Sequence, residues 1–120
     1  MTEEHEAVTV EQRMVCLGRM YMGRLPLEMA SLREQLDMLD AGGPVQVILP
    51  DLYERLYKLA GSGGTFGFDE LSSLARVMAL QVKVYLVRGD VPPDDAERQW
   101  LRDSLAGLDG VASRVPRWLA

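Results

Sequence analysis

LYERLYKLAGSGGTFGF, residues 52–68, joins an apolar helical repeat to a glycine cluster, and the reading of the whole chain follows from it. Leu52, Leu56, Leu59, Gly63 and Phe66 recur at spacings of four, three, four and three, so at about 100° per residue they centre on one face of a helix. Glu54, Tyr57, Lys58, Gly61 and Thr65 fall on the other side. Tyr57 stands roughly 130° from the centre of the apolar face, and Gly61 and Gly64 lie one and two turns beyond it on its side. Each glycine in a helix interior costs up to about 1 kcal/mol relative to alanine, so the cluster from Gly61 to Gly64 calls for a reason. Gly63 faces the core, where it admits a neighbouring helix. Gly61 and Gly64 leave a bare patch beside Tyr57, low enough for a partner surface to reach the ring.

A phosphate-binding loop is the competing reading of GSGG, and its context is wrong. Both glycine-rich phosphate motifs follow a strand, whereas this run follows a helix. Asp69 is then placed to cap a new helix with the stripe Leu71, Leu74, Ala75, Met78, Val82, Tyr85 and Leu86, stopping near Gly89. Val91-Pro92-Pro93 is a stiff connection. Asp94-x-x-Glu97 has the form of a capping box for a last helix that turns Leu101, Leu105, Leu108, Ala112 and Val115 inward and ends before Pro116. Whether Trp118 and Leu119 dock on the other helices is left open by the sequence.

Upstream, Thr9-x-x-Gln12 is a second capping box. The stripe Val10, Met14, Leu17, Tyr21 passes into Leu25, Met29, Leu32, Leu36 and Leu39, with Pro26 predicting a kink or the restart of a second helix. Ala41-Gly42-Gly43-Pro44 is a break. Val45 to Leu49 has no second strand to pair with and reads as the entry to a helix, made irregular or kinked by Pro50. Five helical segments with one apolar stripe each can bury those stripes only against one another. The expected fold is all-α, an antiparallel helical bundle over residues 9–120 behind a flexible acidic tail, residues 1–8.

At 120 residues and 48% apolar content the chain has room for one core. A formal charge of −5 with scattered arginines argues against nucleic acid or an anionic membrane as partner. No apolar run approaches the roughly 20 residues needed to cross a bilayer, and the acidic start does not suit a signal peptide, so a cytoplasmic location is expected. Cys16, the single cysteine, reads as a small buried residue. His5, the single histidine, reads as a solvated tail residue. With no metal-ligand cluster and no nucleophile beside a histidine base, neither a metal, a cofactor nor enzymatic activity is expected.

The run Leu56-Tyr57-Lys58-Leu59-Ala60-Gly61-Ser62-Gly63-Gly64-Thr65-Phe66-Gly67-Phe68, with Leu71 to Arg76 downstream, closely resembles the signature of histidine-containing phosphotransfer (HPt) domains of two-component phosphorelays. The likeness is strong over about 25 residues and weaker over most of the chain. It implies a four-helix bundle with an additional N-terminal helix, and an exposed histidine that passes a phosphoryl group between receiver-domain aspartates. Tyr57 occupies the place of that histidine, Lys58 that of its basic neighbour, and Gly61 and Gly64 those of the small residues that admit the receiver. Glu54, Ser62 and Thr65 complete the implied docking surface.

Tyrosine at that place changes the chemistry. An imidazole nitrogen is nucleophilic at neutral pH, whereas an ordinary tyrosine hydroxyl is only about 0.1% ionised there. A phosphotyrosine ester would also be a poor donor back to aspartate. The preferred expectation is therefore an HPt-like protein that binds a receiver domain or a histidine kinase without carrying phosphate. The alternatives are a scaffold or homodimerisation module outside any phosphorelay, and an active phosphotransfer protein whose histidine has been replaced in this sequence.

Overall fold

The structure is a computed structural model that describes residues 9–120; the expected acidic tail, with His5, lies outside the described residues. Four helices follow one another there, α1 (Val10–Asp40), α2 (Val45–Thr65), α3 (Asp69–Val87) and α4 (Asp95–Ala112), with no strand among the described residues. Both capping boxes form. Thr9 Oγ1 accepts from the Gln12 amide at 3.1 Å while Gln12 Oε1 accepts from the Thr9 amide at 2.9 Å. Asp94 and Glu97 make the equivalent pair at 2.8 and 3.0 Å.

Helix α1 corrects the expected division of the chain. It runs unbroken for 31 residues through Pro26, so the five expected segments become four helices. Proline inside a helix costs about 3 kcal/mol. Burial of Tyr21, Leu25, Met29 and Leu32 on either side outweighs this, at about 1.5–3 kcal/mol for each large side chain. Pro26 itself is on the exposed side of the helix. Pro50 is accommodated in the same way, exposed between the buried Leu49 and Leu52.

Burial on α1 starts at Gly18 and Tyr21 rather than at Val10. Val10, Met14 and Leu17 continue the apolar stripe past the last element packed on it, and all three are exposed. Cys16 is exposed as well, against the expectation of a buried thiol.

Each of α2, α3 and α4 packs on the helix before it, and α4 also packs on α1. A single core results, with Leu25, Met29 and Leu32 from α1, Leu52 and Leu56 from α2, Leu71, Met78 and Val82 from α3, and Leu101 and Leu108 from α4. The last turn of α1 is tied to α4 by ion pairs from Arg102 to Asp37 and Asp40. Val115 is exposed rather than inward-facing, because α4 ends at Ala112 and the chain turns through Pro116. That turn brings the C-terminal segment back: Trp118 Nε1 donates to the Gly67 carbonyl at 2.9 Å, its ring meets Phe68 edge-on, and Leu119 is buried.

Between α2 and α3 the backbone reverses at Gly67, whose φ of +79° favours glycine. Phe68 is buried beyond it and stands at the cap of α3. Asp69, expected as the cap, instead occupies the first turn, where with Glu70 its charge complements the helix N-terminus. None of the four helices is long and apolar enough to cross a membrane.

Candidate functional site

Small residues set the spacing of α2 and α3. A side chain added at Gly63 would stand 3.3 Å from the Ser72 amide nitrogen and 3.4 Å from the Phe68 carbonyl oxygen, so the first turn of α3 rests on Gly63 itself. Ser72 is buried and donates its hydroxyl to the Ala60 carbonyl at 2.6 Å, fastening the two helices where they are closest. Gly63 is thus a packing residue, and its neighbours follow from that contact by the turn of the helix. Gly61 points into open space, with no atom within 4 Å of where a Cβ would be. Gly64 is exposed too, although a Cβ there would lie 3.3 Å from Ser72 Oγ.

Tyr57 stands on this open side, 65% exposed, one turn before Gly61. Its ring stacks on Tyr53 at 6.0 Å between centroids and 29° between planes. Together the two rings form one wall of a cleft of about 420 Å³ whose floor is Ala60, Gly61 and Ala79 and whose far wall is Leu80 and Arg76 of α3. Arg76 is the one charged residue lining it.

Glu54 and Lys58 share the next strip of α2 outward and pair with each other at 2.8 Å, one turn apart. That hydrogen bond and the carboxylate charge raise the Lys58 ammonium above the ordinary lysine value. Both side chains are well exposed, so the pair orients Lys58 without adding much stability. Thr65 is exposed and turns its hydroxyl to the Gly61 carbonyl at 3.0 Å, at the end of the same face.

Ser62 alone among the expected site residues points elsewhere. It is half-buried on the α1 side, with its hydroxyl 2.8 Å from that of Tyr21. Burial raises the Tyr21 phenol above the usual tyrosine range, the Ser62 hydrogen bond working against this. Beside this pair lies a second groove, of about 420 Å³, with Arg24, Arg55 and Lys58 set among Glu28, Asp51 and Glu54. Its three cations and three anions compensate one another, so it offers a visiting charge little.

The structure therefore gathers Tyr57, Gly61 and Gly64 on one side of α2, runs Glu54, Lys58 and Thr65 along the adjoining edge, and turns Ser62 inward. Tyr53, Arg76, Ala79 and Leu80 were not among the expected site residues. Of these only Leu80 carries a legible signal, since Val77, Leu80, Val84 and Val87 form a second apolar repeat on α3, on the side away from Leu71, Ala75, Met78 and Val82. Among the described residues no group of histidine, cysteine and acidic side chains could hold a metal ion. A scan against protein-family models and searches of curated proteins and of solved structures gave no match for this chain.

Proposed function

We propose that the chain is a histidine-less, HPt-like docking protein: an antiparallel four-helix bundle whose first helix is lengthened where the family carries an additional N-terminal helix. It binds a receiver domain or a histidine kinase of a two-component phosphorelay and regulates that partner by occupancy, without acting as an enzyme or carrying phosphate. The cytoplasmic setting follows from where such partners work. The observation that carries the proposal is the pairing of exposed Tyr57 with open ground at Gly61, inside the run LYKLAGSGGTFGF that resembles the HPt signature. A docking surface is preserved there while the residue at the reactive place cannot perform the transfer.

The experiment is capture of purified receiver domains and kinase domains by the immobilised chain, repeated with Gly61→Arg. Binding that Gly61→Arg removes supports the reading; failure to capture any receiver or kinase sinks it. A second reading, a scaffold that pairs with its own copy, is favoured by the exposed stripe of Val10, Met14 and Leu17. Sedimentation of the chain beside a Met14→Glu/Leu17→Glu variant tests it, because a dimer lost in the variant would assign that stripe to self-association.

A further inference from the structure

The outward side of α3 carries a second, exposed apolar stripe. Ser73, Val77, Leu80, Val84 and Val87 follow one another at four, three, four and three, an average of 3.5 residues, which is the repeat of helix-pairing surfaces. The core of α3 is already supplied by Leu71, Ala75, Met78, Val82 and Tyr85, so among the described residues the core makes no use of this second stripe. Val77 is 54% exposed, Leu80 60%, Val84 50% and Val87 78%, which makes a continuous apolar strip rather than scattered single residues.

Charge identifies the occupant. The chain carries −5 overall, yet α3 has no acidic residue from Leu71 to Val87. Arg76 and Lys83 border the stripe on one side, each preceding a valine of the repeat, and neither makes an ion pair among the described residues. A second copy of α3 laid antiparallel on the stripe would set Arg76 against the other copy's Lys83, like charge against like, and a parallel copy would bring Lys83 no carboxylate, only Arg88, which is already paired with Glu97.

We propose that this face docks an amphipathic helix of a partner protein whose apolar stripe is bordered by carboxylates. In placing that partner beside Tyr57 the proposal rests on the docking reading above, and it adds the partner's chemistry: Leu80 belongs both to the stripe and to the Tyr53–Tyr57 cleft, so one partner covers both.

Two synthetic helical peptides test it, with the same leucine stripe flanked by glutamate in one and by lysine in the other, each titrated against the full chain by fluorescence anisotropy. The expected result is binding of the glutamate peptide at least about tenfold tighter than the lysine peptide, a preference weakened by salt. Arg76→Glu/Lys83→Glu is expected to reverse the preference, and Leu80→Asp, checked for helicity by circular dichroism, to abolish binding of both. Equal binding of the two peptides, a preference that survives charge reversal, or a homodimer that Leu80→Asp dissociates would each overturn the proposal. A receiver domain that binds regardless of Leu80→Asp and charge reversal overturns it while leaving the docking reading standing. Selective glutamate-peptide binding by a chain that captures no receiver or kinase supports this face and removes the phosphorelay.

Discussion

The Tyr21 hydroxyl lies 2.8 Å from Ser62 Oγ, joining the middle of α1 to the glycine cluster of α2. That contact closes one side of the cluster and leaves the side facing α3 as the approach to Tyr57. Tyr21 is also stacked on Phe66 at 4.8 Å and set edge-on to Phe68 at 5.0 Å, so its ring is held on both faces of the turn. Tyr21→Phe keeps these ring contacts and deletes one hydrogen bond. The expected loss is about 0.5–1.5 kcal/mol, because Ser62 retains a bond to the Leu59 carbonyl. Urea denaturation of the two proteins measures it.

Burial raises the Tyr21 phenol in the folded chain, and Tyr85 is raised for the same first reason. The unfolded chain then releases these protons at lower pH than the folded one, so stability falls as pH climbs past the ordinary tyrosine value near 10 and is unaffected by these groups below it. A spectrophotometric titration is expected to show late tyrosinate steps that move down on unfolding in urea. Tyr21→Phe is expected to remove one of them and to flatten the alkaline loss of stability.

Two glycines only two residues apart, and so about 200° apart around the helix, are expected to respond oppositely to alanine. At Gly61 the new methyl enters open space and the gain is one of helix propensity, up to about 1 kcal/mol. At Gly63 it meets backbone atoms of Ser72 and Phe68, which cannot swing aside as a flexible side chain could. The Ser72 amide is moreover bonded to the Phe68 carbonyl at 2.9 Å. Overpacking of about 1–3 kcal/mol exceeds the propensity gain, so Gly63→Ala is expected to lower the urea midpoint and Gly61→Ala to raise it.

Local pattern carried most of what could be read from the sequence. Thr9 with Gln12 and Asp94 with Glu97 fixed two helix starts, since a capping box needs only residues three apart. Gly63 and Gly61 were separable because helical rotation alone puts one inside and one outside. Other features depend on how far neighbouring elements extend, which no local pattern encodes. Val10, Met14 and Leu17 have the periodicity of a core stripe, yet they are exposed, because the C-terminal segment meets α1 at Gly18 and of the residues before it only Val15 is partly buried. Cys16, on the same stretch, is exposed with them. Helical rotation alone puts Ser62 about 140° around α2 from Tyr57; what no local pattern encodes is that Tyr21 of α1 stands opposite it.

The exposed Cys16 gives a direct check on the projecting end of α1. A maleimide reagent is expected to label it in the native chain at nearly the rate seen in urea, since access needs no opening of the core. Slow native labelling that urea accelerates many-fold would mean that this end of α1 is covered in solution.

Replacing Tyr57 by histidine tests the docking site by its chemistry. The side chain is 65% exposed and touches chiefly Tyr53, so the substitution is expected to change stability by no more than about 0.5 kcal/mol. Incubated with a phosphorylated receiver domain, the native chain is expected to take up no label. In Tyr57→His an imidazole nitrogen can attack the phosphorus of the receiver's acyl phosphate, the aspartate leaving as carboxylate and the phosphoryl group passing to the ring. On the proposed docking reading, Gly61 is what lets a receiver come close enough for that attack, because a long side chain there would stand beside the new nucleophile. The double variant Tyr57→His/Gly61→Arg is therefore expected to hold an intact histidine and remain unlabelled. Label on the double variant equal to that on Tyr57→His would show that the bare ground beside residue 57 plays no part in docking.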